Sequence, residues 1–237
     1  MKNLQSKLGA VNWQESSVQM NEKGYAILSG LLSNEQCEEL IQNYDNTDLY
    51  RKTIVMERYR FGQGEYKYFK YPLPVLIQYI REQLYPHLAD IANGWMNLLN
   101  IDKLFPNTFP GLQMLCHTNN QKQPTVLILK YGKGGHNTLH QDLYGEIFFP
   151  IQLVLFLNEA GKDFTGGEFV LTQQTPRAQS KAIVLNPKKG DMLMFTTNFR
   201  PVKGSKRYYR ANMKHGVSEL QAGQRHTLGI IFHDALT

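Results

Sequence analysis

A chain of 237 residues with 42% hydrophobic and 19% charged residues has the balance of a globular protein, which excludes extended disorder. Its two cysteines, Cys37 and Cys116, are too few for a disulfide framework or a cysteine zinc site and predict a reducing, cytoplasmic setting. No apolar run reaches the ~20 residues of a spanning helix and no secretion-type apolar core opens the chain, so no membrane partner is expected, while a formal charge of +6 favours anionic partners.

Residues 4–21 are expected to form a polar helix, and Gly24 to Leu28 a short strand ended by Gly30. Ser33-Asn34-Glu35-Gln36 has the form of a capping box, and Leu32, Cys37, Leu40, Ile41 and Tyr44 supply an apolar stripe behind it. Thr53 to Phe61 predicts a strand and Gly62 to Glu65 a turn. A long helix is predicted over Leu73 to Asn100, where Leu76, Ile77, Ile80, Leu84, Leu88, Ile91, Trp95 and Leu98 recur every three or four residues. The polar stretch Asn119 to Pro124 then separates a helix-rich part, 1–118, from a strand-rich part, 125–237. In the second part strands are predicted over 125–131, 147–157, 168–171, 181–185, 191–196, 215–220 and 225–232, divided by turns rich in glycine and proline, as in a β-sandwich or barrel. Together the two parts are expected to make one domain.

The chemistry concentrates in His140-Gln141-Asp142. Side chains two apart on an extended segment point the same way, so His140 and Asp142 can reach one ion while Gln141 faces elsewhere. Such a triplet alone is common. A third ligand and a cation come from His215 and Arg225, which lie on two strand-like runs joined by Gln221-Ala222-Gly223, a loop whose glycine suits the left-handed position of a bulged hairpin. Pairing Leu220 with Gln224 sets Glu219 opposite Arg225, Val217 opposite Thr227 and His215 opposite Gly229. His215 and Arg225 then share a face, roughly 13 Å apart between backbones at ~3.3 Å per residue. Two imidazoles and one carboxylate on one face of a metal leave the other face open, the arrangement of non-haem iron(II) oxygenases. Two of the open positions can take a 2-oxo acid and one dioxygen, and Arg225 can hold the far carboxylate by a bidentate pair. Taken singly, a hydrogen-bonded strand histidine and an arginine after a turn would look the same.

With H-x-D, a distal histidine and an arginine ten residues later, the chain resembles the 2-oxoglutarate- and iron(II)-dependent dioxygenases. The segments Tyr25 to Gly30, Gly64 to Phe69, Thr165 to Phe169 and Gly229 to Ala235 are similar to a prokaryotic branch grouped with AlkB-like enzymes of nucleic-acid modification. The resemblance implies a mainly β fold with flanking helices: a double-stranded β-helix, the jelly roll of cupin-like proteins, preceded by N-terminal helices. It implies His140, Asp142 and His215 as iron ligands, and Arg225 and Tyr131 as contacts to the cosubstrate 2-oxoglutarate. It further implies that dioxygen drives decarboxylation of 2-oxoglutarate to succinate while a substrate C–H bond is hydroxylated or a methyl group oxidatively removed. One departure is visible: AlkB-type enzymes carry a second arginine in their last motif, where position 219 here is glutamate.

For the substrate, Arg200, Lys203, Lys206, Arg207 and Arg210, with Tyr208 and Tyr209 between them, have the cations and rings of a surface for single-stranded or damaged nucleic acid. The alternatives are a solvated hairpin, a hydroxylase of protein side chains or small metabolites, and a non-catalytic jelly-roll module that binds a polyanion. The run Tyr66 to Tyr71 is either a strand or a lid over the substrate. His136 is expected in a loop after Gly134-Gly135, His226 turned away from the metal face, His233 and Asp234 in hydrogen bonds at the chain end, and His87 and His117 in structural roles.

Overall fold

The computed structural model describes residues 2–237. Five α-helices, α1 (Lys2–Gly9), α2 (Trp13–Lys23), α3 (Asn34–Gln42), α4 (Val75–Leu98) and α5 (Phe109–Thr118), belong to the first half. The single helix expected over 4–21 is two helices, because Asn12 caps α2 afresh by accepting from the Glu15 N–H at 3.1 Å. The predicted capping box is formed, with Ser33 and Gln36 satisfying each other's backbone N–H groups.

The strands in the first half are β1 (Tyr25–Leu28), β2 (Tyr50–Val55), β3 (Gly62–Gln63) and β4 (Glu65–Phe69). The second half adds β5 (Leu127–Tyr131), β6 (His136–His140), β7 (Ile151–Phe156), β8 (Phe164–Gly166), β9 (Phe169–Gln174) and β10 (Lys181–Leu185). It ends with β11 (Met192–Thr196), β12 (Phe199–Lys203), β13 (Tyr208–Val217), β14 (Leu220–Gly223) and β15 (Arg225–Ile230). The strand expected over 53–61 starts and stops earlier, because Met56–Tyr59 turns into a 3-10 helix closed by Arg60 in the left-handed region. The aromatic run after Gly64 is a strand, β4, paired on both sides.

A seven-stranded sheet in the order β1-β11-β7-β15-β5-β4-β2 faces a sheet containing β10-β9-β13-β6-β3, with β12 paired to β13. All pairings within these sheets are antiparallel, so each sheet has an inner face for the space between them and an outer one. This is the jelly-roll arrangement expected. The helices cover the outer face of the larger sheet, where Ile77, Ile80, Leu84, Leu88 and Trp95 of α4 are fully buried against Leu153, Leu155, Met192, Met194 and Leu228 of the sheet. Burying each such side chain contributes roughly 1.5–3 kcal/mol, so the helical layer keeps the larger sheet rigid and leaves its inner face for the site.

The expected hairpin of 215–220 with 225–232 is not formed. His215 lies near the end of β13, which pairs with β6 and β9, while β14 pairs with β8 and β15 pairs with β5 and β7. Gly223 does take the left-handed conformation expected of it, φ +81°, but there it lets β14 lie against β8, since a Cβ would sit 2.0 Å from the Asp163 carbonyl oxygen. The chain crosses from one sheet to the other between His215 and Arg225. Among the described residues no helix is long and apolar enough to cross a membrane.

Candidate metal centre

His140 and His215 are direct partners across the antiparallel β6–β13 pair, with ring centroids 4.1 Å apart. Facing residues in such a pair bring their Cβ atoms to about 4.5–5.5 Å, so the register alone sets two imidazoles side by side. Asp142 follows the end of β6 and turns back between them: one carboxylate oxygen is 3.6 Å from His140 Nε2 and the other 3.2 Å from His215 Nε2. One ligand atom from each of the three residues falls within 4.8 Å of the others. Gln141 points away, as expected, and its amide donates to the Asn198 and Met213 carbonyl oxygens at 2.9 and 2.7 Å.

The second coordination layer is partly built. His140 Nδ1 donates to the Thr138 carbonyl oxygen at 2.7 Å, which fixes its tautomer and leaves Nε2 with a free lone pair. Tyr144 donates its hydroxyl hydrogen to Asp142 at 2.7 Å. Burial alone would raise the Asp142 carboxyl, yet His140 and His215, with hydrogen bonds from His215 and Tyr144, hold it well below the usual range. Burial and the repulsion of His140 push the His215 imidazole down. A neutral imidazole and an ionised carboxylate are the forms that bind metal.

The triad opens on a cavity of about 210 Å³ between the sheets, walled by Leu127, Leu129, Val154, Phe195 and Ile231 and running to Arg225. Arg225 and Tyr131 face each other across the β15–β5 pair. Arg225 is 2% exposed and none of its three guanidinium nitrogens has a hydrogen-bond partner. It is surrounded by the rings of Tyr131, Phe156 and Phe164, at 5.5–5.9 Å from its guanidinium carbon, and burial pushes its pKa down to about 10. The buried Tyr131 hydroxyl also lacks a well-formed bond; burial pushes it up to about 12, with Arg225 and the nearby Asn137 side chain pulling the other way. An unpaired buried cation is costly, so this end of the cavity is shaped for an anion. Gly167 closes it: a Cβ there would lie 2.5 Å from Leu220 and 3.2 Å from Arg225.

The structure thus brings together His140, Asp142 and His215, and places Arg225 and Tyr131 along the same cavity by a topology other than the one expected. Gly229 lines the cavity too, although its cross-strand partners are Leu127 and Val154. His226 faces away and bonds Asn158; His117 and Arg81 pair with Asp234; His87 stacks on Trp13. His136 opens β6 rather than sitting in a loop, because Gln63 of β3 pairs with it. Tyr144 is absent from the expected set, although it lies two residues beyond Asp142, the same spacing that relates Asp142 to His140.

Of the basic segment, Lys203, Lys206, Arg207 and Arg210 are exposed on the β12–β13 hairpin, with Lys214 beyond them on β13. Arg200 is corrected: it is 8% exposed and tied to Gln173 and the Asn21 carbonyl oxygen, so packing against α2 removes it from any surface. A second exposed group stands where the cavity opens. Tyr59 and Phe61 stack at 5.5 Å and alternate in sequence with the exposed Arg58 and Arg60, Phe61 lines the cavity, and its carbonyl oxygen accepts from Thr138.

Residues 64–235 match the profile of the Oxygenase-NA family, described as an oxygenase catalysing oxidative methylation of damaged DNA. An uncharacterized protein of Mycobacterium tuberculosis is 41% identical over 167 residues, 70% of this chain and 72% of that protein. In fold, the chain is similar to a prolyl hydroxylase of Trichoplax adhaerens solved with a peptide of the hypoxia inducible factor oxygen degradation domain (TM-score 0.60, 16% identity, 98% of this chain and 92% of that one). It is also similar to an oxidoreductase of the 2OG-Fe(II) oxygenase family from Burkholderia pseudomallei (TM-score 0.56, 13% identity, 95% and 94% covered).

Proposed function

The chain belongs to the Oxygenase-NA family, and we propose that it is a 2-oxoglutarate- and iron(II)-dependent oxygenase that oxidises a base of single-stranded or damaged nucleic acid, as one catalytic unit working in the cytoplasm. The observation that carries the site assignment is the buried, unpartnered guanidinium of Arg225, which shares one cavity with the His140, Asp142 and His215 donors. Two imidazole nitrogens and a carboxylate suit a divalent first-row ion and leave one face of it open.

Iron(II), when bound with 2-oxoglutarate and dioxygen, supplies the oxidising power for attack on a C–H bond. The protein's part is to bind, orient and exclude water. His140, Asp142 and His215 hold the metal. Arg225 takes the distal carboxylate of the cosubstrate by charge-assisted hydrogen bonds, and the Tyr131 hydroxyl donates to it from the opposite strand. Leu127, Leu129, Val154 and Phe195 keep water from the space between, which strengthens every electrostatic contact inside.

For the substrate, the family description supplies the chemical class and two surfaces fit it. Lys203, Lys206, Arg207 and Arg210 offer cations to phosphates. The stacked Tyr59 and Phe61 offer a ring face at the cavity opening, with Arg58 and Arg60 beside it. The two free, buried cysteines fit a reducing setting. The test is turnover of 2-oxoglutarate to succinate by the Fe(II)-loaded protein, with and without methylated single-stranded DNA. Stimulation by the methylated strand, with loss of the methyl group, supports the reading; turnover that nucleic acid leaves unchanged removes the substrate, and no turnover by loaded protein removes the enzyme.

A further inference from the structure

Asp142 stands on a segment, residues 141–150, that forms neither helix nor strand. The torsion that rotates a carboxylate about its last bond is broad, so neither the backbone nor the rotamer decides which oxygen meets a metal. Tyr144 supplies what the segment lacks. Its side chain is half-buried, and its hydroxyl donates to Asp142 Oδ1 at 2.7 Å. A carboxylate can only accept, so the Tyr144 hydrogen is committed and its oxygen is left as an acceptor. Tyr68 of β4 donates its hydroxyl hydrogen to that oxygen at 3.3 Å. The chain of hydrogen bonds therefore has one direction, Tyr68 to Tyr144 to Asp142.

The rings are fixed as well as the hydroxyls. Tyr68 meets Tyr144 edge to face with centroids 6.4 Å apart, and the buried His233 ring lies on the other side at 6.0 Å. Tyr68 is in turn packed by Tyr66 at 5.4 Å and covered by the Arg51 guanidinium at 4.7 Å. Oδ1 also lies 3.6 Å from His140 Nε2, but it already accepts from Tyr144, so Oδ2, 3.2 Å from His215 Nε2, is the carboxylate oxygen with no hydrogen bond from the tyrosine to compete with a metal between the imidazoles.

We propose that Tyr144, held in place by Tyr68, is a positioning residue that presents Asp142 to the metal through one oxygen only. This rests on the metal reading above. A carboxylate free to rotate could offer both oxygens and take up a position that the cosubstrate or dioxygen needs; a carboxylate held at Oδ1 leaves three positions open. The strand-borne imidazoles need no equivalent, since the β6–β13 register already places them.

The test is the affinity of metal-free protein for Mn(II), followed by electron paramagnetic resonance, in wild type, Tyr144→Phe and Tyr68→Phe. Loss of an outer hydrogen bond of this kind weakens metal binding by about 10–100-fold, and Tyr144→Phe is expected in that range. Tyr68→Phe is expected to weaken binding in the same direction by less, because it acts through Tyr144. The thermal midpoint of metal-free Tyr144→Phe should stay close to wild type, since the ring and its packing remain. Mn(II) affinity within twofold of wild type in Tyr144→Phe overturns the proposal, as does a lowered midpoint with unchanged affinity, the mark of a purely structural residue. Should Tyr144→Phe fail to fold, wild-type affinity in Tyr68→Phe overturns it. Absence of Mn(II) binding by the wild-type protein would remove the metal reading and the brace with it, whereas intact wild-type binding with an unaffected variant removes the brace alone.

Discussion

Replacing Arg225 by methionine should make the metal-free protein more stable while destroying its affinity for 2-oxoglutarate. The guanidinium is 2% exposed, has no hydrogen-bond partner and is enclosed by three aromatic rings. Burial brings its pKa from 12.5 to about 10, and at 1.36 kcal/mol per unit that shift is a cost of about 3 kcal/mol for keeping it charged. Methionine fills similar volume without the charge. Part of the gain is lost with the packing of the arginine stem, so a net stabilisation of about 1–3 kcal/mol is expected. For a chain of this size that is a rise in thermal midpoint of roughly 2–12 °C. The same substitution removes a two-pronged charge-assisted contact of about 1.5–3 kcal/mol per hydrogen bond, so 2-oxoglutarate should bind at least about a hundredfold more weakly. Differential scanning calorimetry of the metal-free protein in buffer without carboxylates reads the first effect. Titration of the Mn(II)-loaded protein with 2-oxoglutarate, followed by its midpoint shift, reads the second. A variant that is less stable than wild type, or one that keeps its 2-oxoglutarate affinity, refutes the assignment of Arg225 as an anion site held in waiting.

Asp142→Ala should abolish Mn(II) binding and succinate formation while leaving the far-ultraviolet circular dichroism intact; appreciable metal binding by the variant would show that the ligands lie elsewhere. Neutralising Lys206, Arg207 and Arg210 together should weaken binding to single-stranded DNA and lower the salt slope by up to about 2, at roughly 0.7 for each phosphate no longer neutralised; an unchanged slope would move the nucleic-acid path off the hairpin. Burial, with Lys130 nearby, pushes His226 down to about 4, below its ordinary 6.5, so the unfolded chain takes up the proton first as pH falls. Its contribution, up to about 3 kcal/mol, is present above pH 6.5 and disappears between 6.5 and 4. Urea midpoints of wild type should therefore drop faster over that window than those of His226→Leu, and parallel curves would contradict the assignment.

The helices and strands were legible because periodicity and caps act over a few residues. Ser33 to Gln36 closes its box locally, α4 shows its stripe every three or four residues, and β10 occupies the predicted 181–185. The failures have physical causes of longer range. His215 and Arg225 looked like neighbours on one hairpin because the loop at Gly223 has hairpin chemistry; pairing with β8 won because Gly166 and Gly223 let the two backbones approach closely. Arg200 read as a surface cation because its neighbours are basic, and only the packing of α2 against β12 shows it buried.

Residue type and spacing determined which atoms this protein brings to a metal: H-x-D needs only the alternation of an extended segment, and the choice of histidine, aspartate, tyrosine and arginine is a matter of donor chemistry. Placement of those atoms belongs to the tertiary structure alone. His140 meets His215 through the β6–β13 register, Arg225 meets Tyr131 through the β15–β5 register, and the two pairs face one cavity because they lie on opposite sheets. Pairing between strands far apart in the chain is decided by the packing of whole sheets, and that information is not carried by any short stretch of residues.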